Sequence, residues 1–156
     1  MIDEPRTLEQ VLARMDAAWE QFRALAVRFP PERMDEHIGG WTRKQMLAHV
    51  GGWHDSAADR LLAFAATGER QTIDEDDEVI NARIARAAAG RTAGEVLHAV
   101  ETSFRRLRRQ VEMLNDEQLM AHDSWPMKLI VGVTHEHYEE HRPDLEIGAD
   151  LSSARD

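Results

Sequence analysis

Apolar residues recur every three or four positions along most of the chain, which is the pattern of helices that bury one face. The pattern is clearest in helix three, predicted over residues 93–114, whose apolar stripe consists of Leu97, Val100, Phe104, Leu107, Val111 and Leu114. Another stripe predicts helix one over residues 8–28, and Pro30 and Pro31 follow it and end it.

The predicted helices one, two and three begin with the same capping signal, a threonine followed three residues later by glutamine or glutamate. The pairs are Thr7 with Gln10, Thr42 with Gln45 and Thr92 with Glu95. The middle pair marks the start of helix two, which is predicted over residues 43–67 and ends before Gly68.

An acidic segment between helices two and three leads into a short helix predicted over residues 77–89. A fourth long helix begins near Pro126 and runs at least to His141, and Pro143 is expected to stop or kink it. The elements together predict one all-α domain over residues 1–156. Its expected architecture is an up-down-down-up four-helix bundle with a long, partly helical crossover between helices two and three.

Composition narrows the chemistry that this bundle can carry. The chain of 156 residues is long enough to bury its own core and contains no cysteine, so any metal must be held by histidine, aspartate or glutamate. The absence of cysteine and of a signal-peptide pattern indicates a cytoplasmic protein. A formal net charge of −10 argues against a nucleic-acid partner, and no apolar run is long enough to span a membrane.

Two nearly identical stretches, His-Ile-Gly-Gly-Trp at 37–41 and His-Val-Gly-Gly-Trp at 49–53, have different predicted roles. The glycines of the first form the turn before helix two. The second pair, Gly51 and Gly52, lies inside helix two, where two glycines cost about 2 kcal/mol relative to alanines. They provide either room beside His49 or a close approach of another helix.

Histidines replace aliphatic residues on the inner stripe of the fourth helix. His137 and His141 follow Ile130 and Val133 on that stripe, and a spacing of four residues lets two imidazoles share one metal ion. His49, at the inner face of helix two, is the best candidate for a third ligand. The alternatives are partly exposed histidines on helix four and a hydrogen-bonded core histidine on helix two.

Two motifs resemble those of the DinB-like superfamily. The first is Trp41-Thr42-Arg43-Lys44-Gln45-Met46-Leu47-Ala48-His49-Val50 with Trp53, and the second is His137-Tyr138-Glu139-Glu140-His141-Arg142. The resemblance implies a metal-binding four-helix bundle with a three-histidine site at His49, His137 and His141. Members of this superfamily include thiol-dependent transferases and isomerases, and one branch protects against a reactive small molecule.

The resemblance implies a small-molecule transferase or hydrolase that uses a divalent metal, zinc or nickel, with a low-molecular-weight thiol as an optional cosubstrate. The alternatives are a non-catalytic protein for small-molecule binding or self-protection and a structural dimer. Trp53, Tyr138 and Asn81 are candidates to contact the substrate, while no catalytic side chain can be assigned. A homodimer is expected because members of the family commonly pair through bundle helices.

Overall fold

The computed structural model describes residues 4–153 and shows a helical bundle with one minimal hairpin. No helix in this part of the chain has both the length and the apolar character needed to cross a bilayer. The helices are α1 (Leu8–Ala26), α2 (Arg43–Thr67), α3 (Asp77–Ala89), α4 (Ala93–Glu112), α5 (Asp116–Leu119), α6 (Ala121–Val133) and α7 (His135–Ser153), with a 3₁₀ helix at Pro31–Asp35. The strands are β1 (His37–Ile38) and β2 (Trp41–Thr42).

The predicted all-α bundle class is confirmed. Helix α2 packs against both α4 and α3, while α1 packs along α7. Apolar side chains from α1, α2, α4, α6 and α7 form one continuous core, which includes Met15, Leu61, Leu107, Ile130 and Leu145. The crossover from α2 to α4 contains α3, within the bounds that the sequence predicts.

The capping signals act as predicted. The hydroxyl oxygen of Thr42 accepts a hydrogen bond from the backbone N–H of Gln45 at 3.1 Å, and Thr7 and Thr92 cap α1 and α4 in the same way. In each case the side chain three residues later bonds back to the threonine N–H. Helices α1 and α4 each end two residues earlier than the apolar stripes suggest.

A two-stranded antiparallel hairpin before α2 was not predicted. His37 pairs with Thr42 and Ile38 pairs with Trp41, so Gly39 and Gly40 form the connecting turn. Gly39 has φ +76°, a left-handed conformation that glycine adopts without a steric cost. The predicted turn is thus confirmed, and the hairpin fixes the backbone of Trp41 immediately ahead of α2.

The fourth helix is interrupted at a different place from the one predicted. Thr134, with φ −113° and ψ −97°, separates α6 from α7, and its hydroxyl donates a hydrogen bond to the carbonyl of Ile130 at 2.7 Å. Pro143 was expected to stop or kink the helix, and the structure shows no stop, because α7 continues past Pro143 to Ser153. Leu145, which is fully buried, and the ion pair of Arg142 with Glu146 hold this part of the helix despite the missing backbone donor.

The start of the fourth helix agrees better with the sequence. Within α6, residues His122, Asp123 and Ser124 have φ values of 51°, 57° and 65°, so the right-handed helix begins at Trp125. Pro126 therefore lies in the first turn, where its missing N–H costs no hydrogen bond.

A chain of buried hydrogen bonds links α4, α2 and α7 through the core. The Ser103 hydroxyl donates to the carbonyl of Val100 at 2.8 Å, so its oxygen accepts from Nδ1–H of His54 at 2.9 Å. Nε2 of His54 then accepts the hydroxyl proton of Tyr138 at 2.7 Å. Every donor in this series of hydrogen bonds has an acceptor. Both ring nitrogens of a neutral His54 are therefore satisfied although the residue is wholly buried.

The two interior glycines of α2 allow close helix packing. A Cβ atom on Gly51 would lie 3.2 Å from Val100 Cγ2 and 3.4 Å from the Cα of the same residue on α4, and one on Gly52 would collide with Ile84 on α3. Neither glycine lines the cavity next to His49. Of the two explanations left open by the sequence, close helix packing is therefore correct.

We predict that Gly51→Ala destabilises the protein by about 1 kcal/mol, because overpacking against the side chains of Val100 and Ser103 on α4 exceeds the gain in helix propensity. Urea denaturation at neutral pH measures the change. Gly94→Ala, on an exposed turn of α4, is the control and should leave the free energy of unfolding unchanged or higher. A Gly51→Ala protein more stable than the wild type would show that α2 and α4 can separate without cost.

We also predict a pH dependence of stability that originates from His54. Burial lowers the pKa of His54 from 6.5 to about 3, so the unfolded chain takes up a proton below pH 6.5 that the folded chain does not. His54 therefore stabilises the folded state above pH 6.5, and this contribution is lost as the pH falls towards 3, with a slope of up to about 1.4 kcal/mol per pH unit.

The variant His54→Gln tests this origin because an amide can donate to Ser103 and accept from Tyr138 without titrating. Its free energy of unfolding is measured in the presence of a metal chelator as the pH is lowered from 7 to 5. It should fall less steeply with decreasing pH than that of the wild type. His98→Gln, at an exposed position of α4, should keep the wild-type slope. Equal slopes for the wild type and His54→Gln would contradict the assignment.

Candidate metal centre

Three histidines from two helices meet at one point of the bundle. His49 lies on α2, and His137 and His141 lie one turn apart on α7. One ring nitrogen from each lies within 4.8 Å of the others, and Nε2 of His49 is 2.8 Å from Nε2 of His137. The structure thus brings together the three residues that the sequence nominated as metal ligands.

The hydrogen bonds of Asn81 determine which nitrogen of His49 is free to bind a ligand. The indole N–H of Trp53, which can only donate, lies 2.8 Å from Oδ1 of Asn81, so this atom is an acceptor. The same oxygen lies 3.0 Å from Nδ1 of His49, which must therefore carry the proton. The lone pair of His49 is then on Nε2, the nitrogen that faces His137.

The histidines on α7 also direct nitrogen atoms into the cluster. Nδ1 of His141 lies 3.3 Å from a carboxylate oxygen of Asp144, while its Nε2 is buried without a hydrogen-bond partner among the described residues. A ligand histidine typically donates its other ring N–H to a carboxylate or carbonyl group. Asn81 and Asp144 supply such acceptors to His49 and His141.

Burial keeps two of the rings neutral at physiological pH. Desolvation, followed by repulsion from His141, lowers the pKa of His49 from 6.5 to about 4, although the hydrogen bond to Asn81 acts in the opposite direction. Desolvation also lowers the pKa of His137 to about 3, with smaller contributions from the neighbouring histidines. Neutral imidazole is the form that binds a metal, so both rings are ready to do so.

The donor set fits a divalent transition metal. Imidazole nitrogens suit zinc and nickel, and three protein ligands are the usual number for a zinc site that keeps a position open to substrate. The buried, unpartnered Nε2 of His141 is the observation that supports this fit, because an isolated buried polar atom would otherwise be destabilising.

The histidines line an open pocket of about 400 Å³. Two tryptophans and two carboxylates from four segments of the chain complete its wall. The lining residues are Trp41, His49, Trp53, Asp77, Asn81, Gly132, Val133, His137, Glu140 and His141. Trp41 lies against the ligand cluster, with its ring centroid 5.0 Å from that of His49.

The predicted substrate contacts have different outcomes. Trp53 and Asn81 line the pocket, although the Asn81 carbonyl oxygen is already occupied by His49 and Trp53. The prediction for Tyr138 is wrong, because this residue does not line the pocket. It is 3% exposed, stacks on Phe22 with a centroid distance of 4.8 Å and bonds to His54. Tyr138 follows His137 in α7 and so points about 100° away from it.

The sequence does not identify the other aromatic residue and the two acidic residues of the pocket. In the sequence, Trp41 precedes helix two, Asp77 begins the crossover helix, and Glu140 lies within the second motif. The spacing of Glu140, next to His141 and three residues after His137, was the available signal. Nothing local to Trp41 or Asp77 indicates the pocket, because the hairpin and α3 bring them there.

Several solved structures have the same fold as this chain. The colibactin self-resistance protein ClbS aligns with a TM-score of 0.78 and 12% identity, over 92% of this chain and 96% of that one. An uncharacterised protein from Escherichia coli UTI89 aligns with a TM-score of 0.77 and 16% identity, over 96% of both chains. The mycothiol-dependent maleylpyruvate isomerase aligns with a TM-score of 0.69 and 20% identity, over 88% of this chain but only 60% of the isomerase.

One of these structures corrects an expectation drawn from charge. ClbS was solved in complex with dsDNA, which contradicts the expectation that a nucleic-acid partner is excluded here. That expectation rested on the net charge of −10. Net charge sums the whole surface, whereas nucleic-acid binding depends on the local potential, so the sum does not exclude such a partner.

No curated protein matches the chain, and its classification comes from a family model. The model of the DinB superfamily matches residues 3–142, which is most of the chain and contains the hairpin, the crossover and all three clustered histidines. The resemblance of the two sequence motifs is thereby confirmed. This chain belongs to the DinB superfamily.

Proposed function

We propose that the protein is a metal-dependent transferase or hydrolase that acts on a small molecule. The observation that carries the proposal is the set of three histidine nitrogens within 4.8 Å on the wall of an open pocket. His49, His137 and His141 would hold the ion. A divalent metal with three neutral ligands lowers the pKa of a water or thiol that binds to it and polarises a substrate oxygen.

The residues around the histidines would prepare the site. Asn81 holds the proton of His49 on Nδ1, and Asp144 accepts from Nδ1 of His141, so each ring presents Nε2 to the ion. Trp41 and Trp53 offer flat apolar surfaces to the body of a substrate, and the pocket volume of about 400 Å³ suits a small molecule.

A low-molecular-weight thiol is the cosubstrate that we favour for the transferase reaction. The chain has no cysteine of its own, so a thiolate nucleophile would have to come from solution. The mycothiol-dependent maleylpyruvate isomerase, which has the same fold, supports the use of a thiol here. Zinc and nickel are the metals that we propose.

The second candidate is a binding or self-protection protein that sequesters a reactive small molecule without turnover. It is favoured by the alignment with ClbS, which covers nearly the full length of both chains, whereas the isomerase aligns over little more than half of its own length.

We predict about one zinc or nickel ion per chain after metal loading and desalting, measured by elemental analysis. Single changes of His49, His137 or His141 to alanine should weaken binding at least about 100-fold, because each removes a ligand. His135→Ala is the control on the same helix and should bind as the wild type does. Equal loss in His135→Ala would contradict the assignment of ligands.

Turnover separates the two candidate functions. The metal-loaded protein is incubated with thiols and with small electrophiles or esters, and products are counted per protein chain. Many products per chain that disappear in the metal-free protein support the enzyme. A stoichiometric complex that never exceeds one ligand per chain supports the binding protein instead.

We further predict that Asn81 contributes to metal affinity through its oxygen. Asn81→Leu removes the acceptor of His49 Nδ1–H and should weaken zinc binding about 10–100-fold in a competition titration with a chelating dye. Asn81→Asp retains an acceptor oxygen and should bind zinc at least as tightly as the wild type. If Asn81→Leu binds zinc like the wild type, Asn81 has no role in orienting His49.

A further inference from the structure

One carboxylate on the pocket wall has no compensating charge. The carboxylate of Glu140 makes no ion pair or hydrogen bond with any residue that the structure describes. The other carboxylate of the wall, Asp77, lies near Arg60, whose charge it stabilises. No lysine or arginine is among the described residues that line the pocket, so the side chains of the metal-free pocket offer an anionic group no cationic partner.

The same pocket presents two aromatic faces. Trp41 and Trp53 both line it, and Trp53 is held in place by its hydrogen bond to Asn81. Tryptophan is the aromatic side chain that binds cations best, because the face of its ring is electron-rich. Tryptophans and an unpaired carboxylate that line one pocket are a combination suited to an ammonium group in an otherwise apolar molecule.

We propose that the pocket selects a small molecule that carries an ammonium group, and that Glu140 with Trp41 and Trp53 recognises this group. The proposal rests on the proposed function only in taking the same pocket as the substrate site. Glu140 is a specificity-determining residue in this account, while the three histidines are left to the metal. In the metal-free pocket, anionic molecules of the same size are disfavoured, because Glu140 repels them.

A matched pair of probes tests the charge preference. Choline and 3,3-dimethyl-1-butanol have nearly the same shape, but only choline has a positive charge. Both are titrated into metal-free protein while the four indole N–H signals are followed by NMR. Trp19, stacked on Phe104 in the core, and Trp125, packed against Phe64, serve as internal controls.

The proposal predicts saturable shifts of the Trp41 and Trp53 signals, with choline binding at least about fivefold more tightly than the alcohol. Glu140→Gln should weaken choline binding about fivefold and leave binding of the alcohol within about twofold. Glu139→Gln removes the same charge from α7 outside the pocket, and should change neither affinity. Both glutamates are exposed, so both variants are expected to fold.

The proposal is overturned if choline gives no saturable shift, if the two probes bind equally, or if Glu140→Gln and Glu139→Gln have equal effects. Because the protein is metal-free, none of these outcomes depends on the histidines. A protein that shows the predicted choline preference but never takes up a metal would contradict the proposed metal-dependent function and uphold this inference.

Discussion

The desolvation of three imidazole rings at the contact between α2 and α7 is the constraint on which the site depends. Histidines replace the aliphatic residues that would otherwise complete the core stripe of α7, and a buried polar nitrogen is destabilising unless it has a partner. Asn81 and Asp144 provide partners for one nitrogen each of His49 and His141. One further nitrogen of each ring, together with one of His137, lies in the cluster, where a metal ion would bind these nitrogens and stabilise the folded protein.

The rest of the bundle holds these rings at the required distance. Gly52 lets α3 pack closely on α2 through Ile84, and this approach brings Asn81 to His49 and Trp53. Tyr138, the residue after His137 on α7, forms a hydrogen bond with His54 in the core. Helix α7 is thus held by a satisfied hydrogen-bond network on one face, and its other face lines the open pocket.

Local signals predicted the elements but not every contact between them. Capping threonines and apolar periodicity located α1, α2 and α4 to within about two residues, because these features act within a single turn. The break at Thr134 could not be predicted, because the residue has no helix-breaking chemistry, and Pro143 was a stronger local signal that tertiary packing of Leu145 overrides.

The residues of the site likewise divide into those that local sequence signals predicted and those that only tertiary contacts reveal. The spacing of His137 and His141 predicted their shared face. The inner face of helix two made His49 the best third candidate, and the motif resemblance supported it. Trp41 and Asp77 reach the pocket only through the hairpin and the crossover helix, so sequence spacing carried no information about them. Tyr138 follows His137 by one residue, and this single helical step turns its side chain from the pocket to the core. Such a difference can be predicted only when the orientation of the helix is known.

The most direct test of the account is zinc K-edge X-ray absorption of the zinc-loaded protein. We predict a first shell that contains three imidazole nitrogens at about 2.0 Å, with the outer-shell scattering that is characteristic of imidazole rings. In the His141→Ala protein the imidazole contribution should fall by one ring or the zinc should be lost. A first shell of oxygen atoms without imidazole scattering would contradict the claim that these three histidines form a metal site.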